Sequence, residues 1–116
     1  MIVLDIPEST PSVNPSRGAH WSKTLRLRAR WRWLVKAARL DARLYAVTPL
    51  LKAKLTIERW GPKELDTDNF IAGTKQLTDS LVEEGFIVDD KPACIGRPEY
   101  LQHIGPRRTI VRIEPA

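Results

Sequence analysis

Cysteine is almost absent from this chain: Cys94 is the single one in 116 residues, so no disulfide can form within it. That suits a reducing cytoplasm and excludes a disulfide scaffold. The two histidines, His20 and His103, stand at no zinc-binding spacing. Glycine is sparse, at six residues, and no Gly-rich run offers a phosphate cradle. Cys94 has no base at a recognisable spacing, and no Ser/His/Asp arrangement stands out, so nucleophilic hydrolysis finds no support. No apolar window approaches a membrane span. The opening MIVLDIPEST carries an acid where a secretory signal would want base, and no long apolar region follows. The expectation is a cytoplasmic protein with no membrane association.

What the chain does have is charge, unevenly placed. Residues 1–60 carry twelve Lys/Arg against four Asp/Glu, whereas residues 61–116 carry seven against ten. A basic half beside an acidic half suits a surface that grips phosphates next to carboxylates that hold a metal. The plainer reading is a solvated basic helix face. The length fits one domain spanning residues 1–116.

The elements follow from pattern. Residues 1–6 are β-branched and stop at Pro7, a short strand. Residues 7–20, rich in Pro, Ser, Gly and Asn, predict a flexible loop, with Ser22 as a cap for the helix after it. Over residues 21–44, Leu27, Trp31, Leu34, Ala38 and Tyr45, widened by Val35 and Ala42, mark the buried stripe of a helix. Its other face carries Lys23, Arg26, Arg28, Arg30, Arg32, Lys36, Arg39 and Arg43, opposed only by Asp41. Arginine's planar fork suits phosphate, so Arg26, Arg28, Arg32 and Arg39, with Arg17 and Trp21 just ahead, are the candidate nucleic-acid contacts. Trp31 is assigned to the core, and Trp33, on another face, is a weaker candidate for base stacking.

Residues 51–59 alternate, with Leu51, Ala53, Leu55 and Ile57 on one face, which predicts a half-buried strand broken by Trp60-Gly61-Pro62. A second helix is expected over 69–84, with Phe70, Leu77 and Leu81 inward and Gly85 as its stop. Two strands, 98–104 and 108–114, are expected to form a hairpin about Gly105-Pro106. The sum is an α+β fold: a small mixed sheet of about four strands packed on two main helices.

The informative stretch is DTDNFIAGTKQLTDSLVEEGFIVDD, residues 66–90. Asp66 and Asp68 stand at i and i+2, which in an extended segment places both carboxylates on one side, facing one cation. Such oxygen donors fit Mg²⁺, with Mn²⁺ as a substitute, better than zinc. A calcium loop fails, because its fifth and twelfth positions would be Phe70 and Leu77. Lys75 and Asp79 are i and i+4, readable either as a surface ion pair or as an ammonium placed to stabilise charge on phosphate. Asp89-Asp90 is a solvated corner when taken alone and a third carboxylate source when taken with Asp66 and Asp68. Asn69 reads as a backbone-bonding or capping residue.

Asp66-Thr67-Asp68-Asn69, then Lys75, Asp79, Gly85 and Asp89-Asp90, resembles the RusA family of Holliday-junction resolvases, in its phage or prophage form. His20-Trp21 ahead of a basic helix is similar to the family's N-terminal part, and the likeness runs from about residue 12 to 113. The resemblance implies a RusA-like fold and a Mg²⁺-dependent endodeoxyribonuclease, a homodimer that nicks branched DNA at four-way junctions. It places the metal-binding aspartates at Asp66, Asp68 and Asp90 and the functional lysine at Lys75, with Asn69, Asp79 and Asp89 in support. The interval from Asp68 to Lys75 is longer than in the best-known bacterial member, a departure shared by similar phage-type sequences. The rival readings are a non-catalytic nucleic-acid-binding module built on the Arg-rich helix 21–45, and an adaptor whose basic helix binds an acidic protein.

Overall fold

The computed structural model describes residues 1–13 and 21–116 (side chains of Trp21 and Ser22 excepted), and these form four strands and four helices. They are β1 (Ile2–Ile6), α1 (Trp21–Asp41), β2 (Ala53–Gly61), α2 (Thr67–Gly73), α3 (Lys75–Glu83), α4 (Pro92–Ile95), β3 (Glu99–Ile104) and β4 (Arg108–Pro115). The α+β expectation holds: a four-stranded mixed sheet in the order β1-β4-β2-β3 packs against α1 and the α2–α3 pair. Among the described residues, no helix is long and apolar enough to cross a membrane.

The period-two pattern of β2 decides the layering. Ala53, Leu55 and Ile57 are buried on one face, while Lys54 is exposed and Thr56 and Glu58 half-buried on the other. Facing the apolar side are Trp31, Leu34, Val35 and Ala38 of α1, then Phe70, Leu77, Leu81, Phe86 and Ile87. Each fully buried Leu, Val or Ile here contributes about 1.5–3 kcal/mol through removal from water. The stripe is shorter than periodicity predicts. Helix α1 ends at Asp41, and Ala42 and Tyr45 lie beyond it, exposed. Ser22 falls inside the helix and not before it. Leu51 also lies outside its strand and is exposed, and β2 runs through Trp60 to Gly61 instead of breaking there.

The expected hairpin is corrected. β3 pairs in parallel with β2, and β4 pairs antiparallel with β2 on its other edge, so β2 separates the two strands. Gly105-Pro106 begins a connection across β2. Its local signal matched a hairpin turn, but partner choice was set by burial: β2, with an apolar face and two open edges, takes both neighbours. The single helix expected at 69–84 is likewise two, α2 and α3, interrupted at Thr74. Gly85 does end α3: at φ +81° it donates its N–H to Val82 O, and Phe86 N–H reaches Leu81 O. That is a Schellman motif, which needs the left-handed conformation glycine adopts without strain.

Residues 7–13 form the expected loop, but one strapped to the sheet. Ser9 Oγ donates to Trp60 O, Arg59 Nε donates to Thr10 O at 2.8 Å, and Thr109 Oγ1 donates to Glu8 O at 2.8 Å. The strap then meets α2, where Val13 N donates to Asn69 O at 3.4 Å. Gly73 is what admits it: a Cβ there would stand 1.8 Å from the Pro11 carbonyl oxygen. Gly73→Ala should therefore lift the strap and destabilise the fold by about 1–3 kcal/mol, the usual cost of overpacking. Urea unfolding would measure the loss, and a variant as stable as the parent would show that the strap can yield without cost.

Candidate functional site

The motif stretch, residues 66–90, forms most of the crossover from β2 to its parallel neighbour β3. Asp66 follows the β2 exit as the N-terminal cap residue of α2 (φ −58°, ψ 145°), without a side-chain capping bond. Asp68 lies in the first turn of that helix. Asp68 is helical and Asp66 is not, so the pair does not lie in one extended segment and the same-side argument loses its premise. Both carboxylates are exposed and have no ion pair among the described residues. As acids at a helix N-terminus they are stabilised by its dipole, an ordinary structural role. Asn69 sits inside α2 and does not cap it; its contribution is the main-chain oxygen that receives Val13 N–H.

The long interval before Lys75 is absorbed by the break at Thr74. Its hydroxyl donates back to Ile71 O at 2.7 Å, which competes with a continuing helix and fits the kinked geometry (φ −88°, ψ −3°). Lys75 thus becomes the first residue of α3, where a cation opposes the helix dipole. Two carboxylates compensate. Lys75 Nζ donates to Asp79 Oδ1 at 2.9 Å and to Asp90 Oδ2 at 3.0 Å. Asp89 supports this from behind: its Oδ1 accepts the Asp90 main-chain N–H at 2.7 Å.

The electrostatics follow from these contacts. The hydrogen bond from Lys75 holds the Asp90 carboxyl below the ordinary carboxylate range, with partial burial opposing it. Hydrogen bonds to Asp79 and then Asp90 raise the Lys75 ammonium above its usual value. Both groups are charged at neutral pH. Among the described residues, no group of three or more His, Cys, Asp or Glu side chains is gathered closely enough to hold a metal ion. As oxygen donors Asp66, Asp68 and Asp90 suit Mg²⁺, yet they are not assembled into one site here, and Asp90 is engaged by Lys75.

No protein-family model and no curated protein matches this chain. The RusA resemblance rests on the motif residues alone.

The basic face of α1 is placed differently from expectation. Arg28, Arg32 and Arg39, nominated for nucleic acid, turn to the end of α3: Arg28 pairs with Glu83 at 3.0 Å, Arg32 with Glu83 and with Glu84 at 2.8 Å, and Arg39 with Glu84 at 3.4 Å. The Glu84 side chain is only 3% exposed, so Arg32 and Arg39 neutralise a buried charge as well as covering a helix. Arg30 forks onto Glu8 at 2.9 and 3.1 Å. Arg26, the remaining nominee on the helix, is exposed. Arg17 and the side chain of Trp21 lie outside the described residues.

Sequence reasoning missed two polar features of β2. Arg59 is 5% exposed, bonded through Nε to the strap, with one Nη lacking a partner; burial, then nearby Arg107, pushes its pKa down. On the opposite sheet face His103 stacks on Trp60 (centroids 4.7 Å apart) and meets Glu58 at 2.9 Å, while Arg112 also pairs with Glu58. Both depend on which strands neighbour β2, and no local pattern announces that.

The Lys75 cluster gives a pH prediction with a definite sign. Asp90 is depressed, so its stabilisation is complete above the ordinary carboxylate value of about 3.9 and is lost as pH falls through the lower folded value. Lys75 is raised, so its share holds below about 10.4 and is lost as pH rises through the folded value. Lys75→Met should move the Asp90 carboxyl titration upward, as read by carboxyl-carbon NMR. An unmoved titration would mean that the pair does not persist in solution.

Proposed function

We propose that this domain is a metal-dependent, structure-selective endodeoxyribonuclease that resolves branched DNA, the four-way junction above all. The single observation behind this reading is the contact of Lys75 with Asp90, two motif residues far apart in sequence that the crossover brings within hydrogen-bond distance. On the RusA resemblance Asp66, Asp68 and Asp90 are the residues that would hold Mg²⁺ or Mn²⁺, which requires them to be drawn together and Asp90 to be released from Lys75. Such an ion supplies Lewis acidity at a phosphoryl oxygen and a water of lowered pKa.

The chain's own part can be derived further. Lys75 stays protonated at neutral pH because its pKa is raised, so it does not act as a general base. Its role is electrostatic: an ammonium, fixed by Asp79 and Asp90, facing the solvent side from which a phosphodiester approaches. Arg17, ahead of α1 in the sequence, and Trp21, its first residue, keep the DNA-contact role proposed for them. A homodimer would present two such sites to the paired strands of a junction. The alternative of a non-catalytic module reading DNA through the Arg-rich helix 21–45 is weakened by the glutamates that engage Arg28, Arg32 and Arg39.

The test is cleavage of a mobile four-way junction against linear duplex, with and without Mg²⁺. The parent should nick the junction only with metal, and Asp68→Asn should lose that activity while still binding the junction. Lys75→Met should cut the rate by about 10²-fold or more, the scale for removing a preorganised donor of charge stabilisation. Undiminished cleavage by Asp68→Asn would sink the metal assignment, and equal cutting of linear duplex would sink the substrate.

A further inference from the structure

Helix α1 carries two apolar stripes, and the core accounts for only one. The second comprises Leu25, Ala29, Trp33, Ala37 and Leu40, at helical spacings of four, four, four and three. It faces solvent: Leu25 is 52%, Trp33 61% and Leu40 47% exposed. From Leu25 to Leu40 the row is about 22 Å long at the α-helical rise. Single exposed apolar residues need no explanation, but a continuous row centred on a tryptophan does. Toward the end of the helix it borders a shallow groove of about 460 Å³ lined by Trp33, Lys36, Ala37, Leu40 and Asp41.

The charges around this row select its occupant. The arginines on the flank nearest α3 are neutralised by Glu83 and Glu84, and Arg30 by Glu8. Lys23, Arg26 and Lys36, which border or interrupt the row, are exposed and form no ion pair among the described residues. Asp41 is the only acid of α1. A second copy of this chain docked by a two-fold axis would set this surface, whose unpaired charges are mostly positive, against the same surface, which disfavours a self-interface. A nucleic-acid backbone would satisfy Lys23, Arg26 and Lys36 but would leave Leu25, Trp33 and Leu40 facing phosphates, which give them nothing to bury against. A segment with carboxylates and bulky apolar side chains satisfies both sets.

We propose that the outer face of α1 docks a short acidic segment of a partner protein, with Trp33 and Leu40 burying its apolar side chains and Arg26 and Lys36 pairing with its carboxylates. This surface stands apart from the Lys75 cluster and does not depend on the nuclease reading. Trp33 holds the centre, where aromatic anchors carry most of the binding energy, and the cations at the rim govern association rate and salt dependence.

The probe is a fluorescein-labelled synthetic peptide of Asp and Glu residues carrying two phenylalanines, followed by anisotropy with the full-length protein. Two control peptides replace either the phenylalanines with serine or the acids with their amides. Only the parent peptide should bind well, and both Trp33→Ala and Lys36→Glu should weaken it by about tenfold or more. Trp33 is solvent-facing, so its loss leaves the core intact, and Lys36→Glu reads the charge requirement separately. Three results would overturn the proposal: no difference among the peptides, no effect of either substitution, or no peptide binding at all. In that last case, loss of duplex-DNA affinity in Trp33→Ala would reassign the face to nucleic acid. A concentration-dependent dimer abolished by Trp33→Ala would reassign it to a second copy.

Discussion

Parallel pairing of β2 with β3 constrains everything else in this domain. Two adjacent parallel strands cannot be joined by a turn; the chain must leave one end of the sheet, cross a face and return to the other. Here that crossover contains the acidic stretch and is cut into α2, α3 and α4. The apolar sides of α2 and α3 complete the core against Leu55, Ile57 and Val111, and so their polar residues are held at the rim. A motif that reads as a line in sequence is folded into a path, and its middle and its end meet where Lys75 touches Asp90.

The charge asymmetry between the two halves of the chain has a partly internal explanation. Glu83 and Glu84 close α3 in the acidic half, and Arg28, Arg32 and Arg39 of the basic half reach them across the interface between α1 and α3. Glu84 is buried, and an unpaired carboxylate at that depth would cost several kcal/mol, so the arginines are a condition of packing α3 on α1. What remains for an external partner is a smaller and more apolar surface than eight basic residues on one helix suggest.

Periodicity made the helix stripe of Trp31, Leu34, Val35 and Ala38 and the alternation of Ala53, Leu55 and Ile57 legible, because burial is what writes those patterns. The C-terminal stop at Gly85 was legible too, since a left-handed residue leaves a chemical signature. Strand order was not. Residues 99–104 and 108–115 carry a turn between them, and only competition for the edges of β2 sends them to opposite sides. Nor was the break at Thr74 legible, since Gly73-Thr74 reads as weakly helical until the Pro11 carbonyl is known to lie against Gly73. The extended geometry assumed for Asp66 and Asp68 failed for a related reason: the acids that suit a metal also suit a helix start, and here they stand at the N-terminus of α2.

The Lys75–Asp90 contact joins the two requirements of the proposed chemistry. A carboxylate whose charge is already compensated by an ammonium binds another cation more weakly, because the two cations repel and compete for the same oxygens. The ammonium in turn is drawn from Asp90 only by a stronger or additional anion, and a phosphodiester is one. On the proposed reading, therefore, substrate phosphate and Asp90 compete for Lys75, and arrival of the phosphate leaves Asp90 freer to act as a ligand. Asp79, one turn along α3, keeps Lys75 tethered throughout, so that the ammonium shifts between partners without swinging away from the site.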